Sequence, residues 1–217
     1  CSFGSDLVAA MNALARIEPP PDNVILEASG VALPGAIAGT LSLLPSFTLD
    51  GVVVLADAET VRQTATDKYM ADTITRQLAD ADIVLLNKTD LASRAELIKL
   101  REWVPQVATN AHMIETQRSV LDPAVLLQNF IQVERDEYNG PFQHVDGFVT
   151  QRLEIDECAD AATFAAQLIR DNPKLVRAKG FVREANGLMK TIQIVGKRCE
   201  ILAAPEGVEA GVITISS

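Results

Sequence analysis

The stretch Ile83-Val84-Leu85-Leu86-Asn87-Lys88-Thr89-Asp90 decides how this chain is read. Four consecutive apolar residues followed at once by polar ones predict a strand buried on both faces that ends abruptly. Strands of this kind belong to parallel sheets, whose ligands gather at the C-terminal ends of the strands. The residues at that end have a matching chemistry. The Asp90 carboxylate can accept two hydrogen bonds, from the N1–H and the exocyclic amine of a guanine; adenine offers no such pair. The Asn87 amide can bond the O6/N7 edge of that base or tie neighbouring loops together. The stem of Lys88 can lie along the base. A buried carboxylate left unpaired by the wrong base discriminates by roughly 10⁴-fold. The alternative reading of the four polar residues is an ordinary Asn/Asp turn after a strand.

Working outward, Val24-Ile25-Leu26 and Val52-Val53-Val54-Leu55 predict two more buried strands of the same sheet. Helical patterns lie between and after them, over about 34–44, much of 59–79 and about 93–104. Met113-Ile114 predicts a short strand. Asp122 and Pro123 then form an N-cap and first-turn pair for a helix reaching residue 131. This alternation implies an α/β domain, a parallel sheet with helices on both faces. The pattern changes after a polar linker at 134–141. A strand over 145–155, a helix over 159–170 and strands over 175–183, 188–195, 199–203 and 212–215 predict a small α+β domain. Asn186-Gly187 signals a hairpin between two of those strands. The expected domains are therefore 1–140 and 141–217.

Charge narrows the function classes. The 217 residues carry a net charge of −10, and residues 1–140 hold 10 Lys/Arg against 19 Asp/Glu. An acidic first domain argues against nonspecific nucleic-acid binding. It leaves room for a single nucleotide, whose phosphates backbone N–H groups and a metal ion can hold. No apolar run approaches the roughly 20 residues of a membrane helix. Three scattered cysteines make no disulfide framework and predict a reducing, cytoplasmic setting. Cys158 and Cys199 read as small packed side chains, and His112 and His144 as isolated structural or surface residues. Arg177, Lys179 and Arg183 share strand parity. They predict a solvated face, or else a docking surface for a client or for the acidic first domain.

Glu27-Ala28-Ser29-Gly30 closes the first apolar run. A carboxylate there can orient a magnesium-bound or attacking water, and the Gly30 N–H can approach a γ-phosphate unhindered. The plain alternative is a strand-ending turn.

Taken in order, these segments resemble the CobW-like GTPases, the metallochaperone branch of the P-loop GTPases. Cys1-Ser2 followed by Ser5-Asp6-Leu7 looks like the end of that family's Cys-x-Cys-Cys motif. Glu27 to Gly30 with Pro34 resembles its Glu-x-x-Gly segment, and Asp50 to Asp57 its next strand. Residues 77–91, QLADADIVLLNKTDL, resemble its guanine motif, and Arg177-Ala178-Lys179-Gly180-Phe181 the signature of its C-terminal domain. The resemblance implies GTP/GDP and Mg2+ as ligands, with zinc or cobalt as cargo. It implies Glu27 and Gly30 as catalytic residues, Asn87, Lys88 and Asp90 as base-reading residues, and Cys1 as a metal ligand. It further implies delivery of a metal or cofactor to a client metalloprotein or cofactor-assembly protein, cobalamin biosynthesis among the settings. The chain departs from the family in one respect: no Gly-Lys-Ser or Gly-Lys-Thr occurs in it. It is therefore expected to be N-terminally incomplete, with its sheet incomplete too. GTP hydrolysis is expected of the parent protein and not of this chain alone. The alternative function is a noncatalytic protein-binding module on a degenerate GTPase scaffold.

Overall fold

A computed structural model describes residues 3–127, 148–155 and 157–217. Two compact units divide at Ser119/Val120. The expected boundary at 140/141, the linker at 134–141, Cys1, His144 and the first residues of the 145–155 strand lie outside the described residues.

The first unit holds α1 (Phe3–Leu14), α2 (Pro34–Leu41), β1 (Val53–Asp57), α3 (Val61–Thr64), α4 (Ala71–Ala79), β2 (Ile83–Asn87), α5 (Arg94–Val107) and β3 (His112–Glu115). Its sheet is parallel in the order β1-β2-β3, as the alternation of strands and helices implies. Central β2 is the most apolar strand, and all four residues of its apolar run are buried. On one side Val84 and Leu86 pack with Leu78 of α4 and with Leu100 and Val104 of α5. Ser93 starts α5 by accepting the N–H of Glu96, which stands three residues on. The register sets Asp57 beside Asn87 and Leu86 beside Glu115, so the three C-terminal strand ends are neighbours.

Two expected elements differ. Val24-Ile25-Leu26 forms no strand, and Ile25 is 75% exposed. Continuous apolarity reports what a segment can bury, but a strand exists only where a neighbour takes up its N–H and C=O groups. Among the described residues no strand pairs with this segment or with the outer edge of β1, where Leu55 is 61% exposed. The chain just beyond is held instead by α4. Gln77 Nε2 donates to the carbonyls of Gly30 (3.0 Å) and Ala32 (2.8 Å), and Gly35 N–H donates to Asp80 Oδ2 (2.8 Å). The helix expected over 59–79 is two helices, α3 and α4. Asp67 divides them because its carboxylate accepts the N–H groups of Tyr69 and Met70, a local alternative to the helical ladder.

The second unit begins with α6 (Pro123–Leu126), capped by Asp122 as expected; the part expected over 128–131 lies outside the described residues. Then come β4 (Val149–Leu153), α7 (Ala161–Asp171), β5 (Leu175–Arg183), β6 (Met189–Val195), β7 (Arg198–Ala203) and β8 (Gly211–Ser216). The sheet is antiparallel in the order β4-β8-β5-β6-β7. Helix α7, capped by Asp160, lays Ala161, Ala165 and Leu168 on Ala178, Val182, Ile192, Ile194 and Val212. Gly187 turns the β5–β6 hairpin at φ +83°. Gly180 lies where β5 and β8 approach closely: a Cβ there would collide with the Gly211 carbonyl oxygen and Val212 Cα.

The face expected to be solvated is not uniformly so. Arg183 is exposed and Lys179 half-buried, but Arg177 is 1% exposed. Its Nη1 donates to the carbonyls of Leu126 (3.0 Å) and Val125 (3.5 Å), where α6 ends. Helix-terminal carbonyls need donors, and strand parity could not reveal that a helix from another part of the chain covers this position. Cys158 is half-buried, whereas Cys199 is exposed on β7 and is not the packed side chain expected. No helix among the described residues is long and apolar enough to cross a membrane.

Candidate functional site

Three loops follow the C-terminal ends of β1, β2 and β3, and their side chains bond to one another. Asn87 is the last residue of β2. Its Nδ2 donates to Ser119 Oγ (2.8 Å) and its Oδ1 accepts Ser119 N–H (2.9 Å). Of the two uses open to this amide, tying neighbouring loops is the one seen.

Lys88 then turns the chain with φ +61°, and Leu91 N–H closes the turn on the Lys88 carbonyl (3.0 Å). Lys88 Nζ reaches Asp57 Oδ2 at 2.6 Å. The other Asp57 oxygen accepts Glu59 N–H (2.9 Å). The lysine hydrogen bond is the main reason that the Asp57 carboxyl lies below its ordinary range; slight burial opposes it. In turn, Asp57 raises the Lys88 ammonium above its ordinary value. Thr89 donates both its N–H (3.3 Å) and its hydroxyl (3.1 Å) to the Thr116 carbonyl. Arg118 and Ser119 stand at φ +53° and +54°, a region that residues with a Cβ adopt only where surroundings hold them. Asn87 supplies that hold for Ser119. Asp90 lies exposed on the turn, and its carboxylate has no hydrogen-bond partner among the described residues.

The arrangement thus presents an open carboxylate on a loop braced from both sides.

The residues expected at the phosphate end are placed differently. Glu27 is exposed on the segment before Gly30, which forms no strand and lies outside the sheet. Among the described residues no hydrogen bond or ion pair joins Glu27 to the loops around Asn87. A Cβ at Gly30 would meet nothing within 4 Å, so no neighbour in the chain demands glycine there. Cys1 lies outside the described residues. No group of three or more His, Cys, Asp or Glu side chains among the described residues could hold a metal ion. His112 is half-buried, and burial holds its imidazole below the ordinary value.

Asp57, Thr116 and Ser119 join the site although sequence reading gave them no role. The signal that could have found them is the one that found Asn87. Each follows or ends a parallel strand at the same sheet edge as β2, and such edges collect functional side chains.

Residues 1–115 match the family described as the CobW/HypB/UreG nucleotide-binding domain. The chain is similar to the zinc chaperone CobW of a Sinorhizobium species, 27% identical over 92% of this chain and 67% of that protein. It is also similar to zinc-regulated GTPase metalloprotein activator 1 of Schizosaccharomyces pombe, 30% identical over 56% of this chain and 30% of that protein. The zinc chaperone YjiA of Escherichia coli is 31% identical over 48% of this chain and 33% of its own length. The chain therefore spans about two thirds of the first relative and about a third of the other two.

Proposed function

Since the chain belongs to the CobW/HypB/UreG nucleotide-binding family, we propose that it carries the guanine-reading part of a GTP-dependent metal chaperone. One observation carries this reading. The turn after β2 is braced by Asp57 on one side and Ser119 on the other, and it leaves the Asp90 carboxylate open. A carboxylate so placed selects guanine through its two donors.

Glu27 and Gly30 are assigned to the phosphate end. Magnesium requires a near-octahedral set of oxygens. The described residues offer it no ready cluster, so Glu27 fits only as one ligand among waters and phosphate oxygens, and no hydrolytic step is derived. For the cargo, zinc is favoured over cobalt because the CobW and YjiA relatives are named zinc chaperones. Cys1 is its assigned thiolate ligand, a donor type that suits zinc. The partner is then a client protein that needs the metal. A second reading, a noncatalytic binding module, draws on the lack of any Gly-Lys-Ser/Thr in these 217 residues. In that case the base-reading loop is scaffold.

Titration of the 217-residue chain with GMP, AMP and XMP, followed by amide NMR shifts, separates the two. Guanine reading predicts saturable shifts over 87–91 and 116–119 with GMP and none with AMP. Equal responses to GMP and AMP would assign the loop to scaffold.

A further inference from the structure

Asp57 is the last residue of β1, in register with Asn87 at the end of β2. Its two carboxylate oxygens are divided between partners, Oδ2 to Lys88 Nζ and Oδ1 to Glu59 N–H. One residue on, Ala58 N–H donates to the Asn87 carbonyl at 2.9 Å. The chain leaving β1 therefore grips the turn after β2 twice, once by backbone and once by charge. What it grips is strained. Lys88 has a Cβ yet stands in the left-handed region, a conformation that persists only where contacts over-determine it. A lysine side chain has several rotatable bonds and holds no position unless its ammonium is tethered.

We propose that Asp57 is a positioning residue for base recognition: by anchoring Lys88 it fixes the plane along which the guanine lies and the place of Asp90 two residues later. This rests on the guanine reading above. Asp57 touches no base itself and acts through Lys88.

Exposure separates this role from a merely structural one. The two side chains are 29% and 49% exposed, and ion pairs so accessible to solvent contribute little to folding. Removing the pair should leave the fold nearly as stable while loosening the loop that meets the base.

The test uses the full 217-residue chain, GMP as the probe, amide NMR for affinity and thermal unfolding for stability. Asp57→Asn should weaken GMP about 3- to 10-fold, the size of one modest polar contact. Its melting temperature should stay within about 2 °C of the parent. Lys88→Met keeps the stem and loses the charge, and it should weaken GMP similarly. The double variant should be no weaker than the worse single one, since both changes cut one tether. Asp57→Glu keeps the charge and should recover part of the affinity. Unchanged GMP binding in Asp57→Asn would overturn the proposal, as would additive losses in the double variant. So would a large fall in melting temperature accompanying lost binding, which would make Asp57 structural. Asp90→Asn run alongside keeps the two readings apart. If it leaves base preference unmoved, guanine reading itself fails; if preference moves while Asp57→Asn is silent, only the positioning role fails.

Discussion

Asp90 offers two acceptors where an asparagine offers one acceptor and one donor. Guanine presents two donors at that edge, so Asp90→Asn sets a donor against a donor. Xanthine carries a carbonyl in place of the amine and restores the match. The lost charge-assisted bond and the facing donor together cost about 2–4 kcal/mol, or roughly 30- to 1,000-fold in guanine preference. Competition between GMP and XMP measures it, and an unchanged preference would reduce residues 87–90 to a turn. The candidate base-reading residues were legible in the sequence because their chemistry shows in their types. The residues bracing them were not. Ser119 lies 32 positions from Asn87, and Asp57 lies 31 from Lys88. No local spacing encodes such pairs; only parallel strand register brings them together. The same register explains why both uses of the Asn87 amide stayed open on sequence alone.

At the scale of elements, the strands with hydrogen-bonded neighbours on both sides were the most legible. β2 and β5 follow the apolar runs closely, and the Asn186-Gly187 hairpin lies between β5 and β6 as its turn residues dictate. Misreadings fell where a second segment decides the outcome. Val24-Ile25-Leu26 has the composition of a strand without a described partner. Arg177 has the parity of an exposed face but lies under α6. The 59–79 helix is a different case, since its break is local. Asp67 accepts from two successive backbone donors at 2.8 and 3.1 Å in the turn between α3 and α4. Asp67→Ala leaves those N–H groups to solvent and should destabilise the first unit by about 0.5–1.5 kcal/mol. Urea unfolding with an unchanged slope checks this; no shift in midpoint would mean that solvent satisfies the two groups as well as Asp67 does.

Over the whole molecule, acid should act in two steps. His112 is held below its ordinary value by burial. The neutral imidazole's contribution is complete above about pH 6.5 and is lost as pH falls through the folded value. Asp57, Glu96 and Glu115 are lowered chiefly by their hydrogen bonds to Lys88, Arg62 and Arg101. Their contribution is complete above the ordinary carboxylate range near 4 and disappears as pH drops through their depressed values. Urea midpoints from pH 8 to 3 should thus fall below about 6.5 and again, modestly for such solvent-accessible pairs, below about 4. His112→Asn should flatten the upper step alone. A midpoint that rose between pH 7 and 5.5 would mean that the imidazolium is the stabilised form.

The close approach of β5 and β8 at Gly180 reaches beyond folding to the gene. Every missense change of a glycine codon installs a residue that carries a Cβ, and each such residue would strike the main chain of the adjoining strand rather than a yielding side chain. That codon should tolerate synonymous change and nothing else. In a saturation library scored for folded protein, position 180 should be empty of missense alleles, while Gly30, which has open space around it, keeps its small substitutions. A well-populated alanine allele at 180 would show that the two strands can part without loss of the fold.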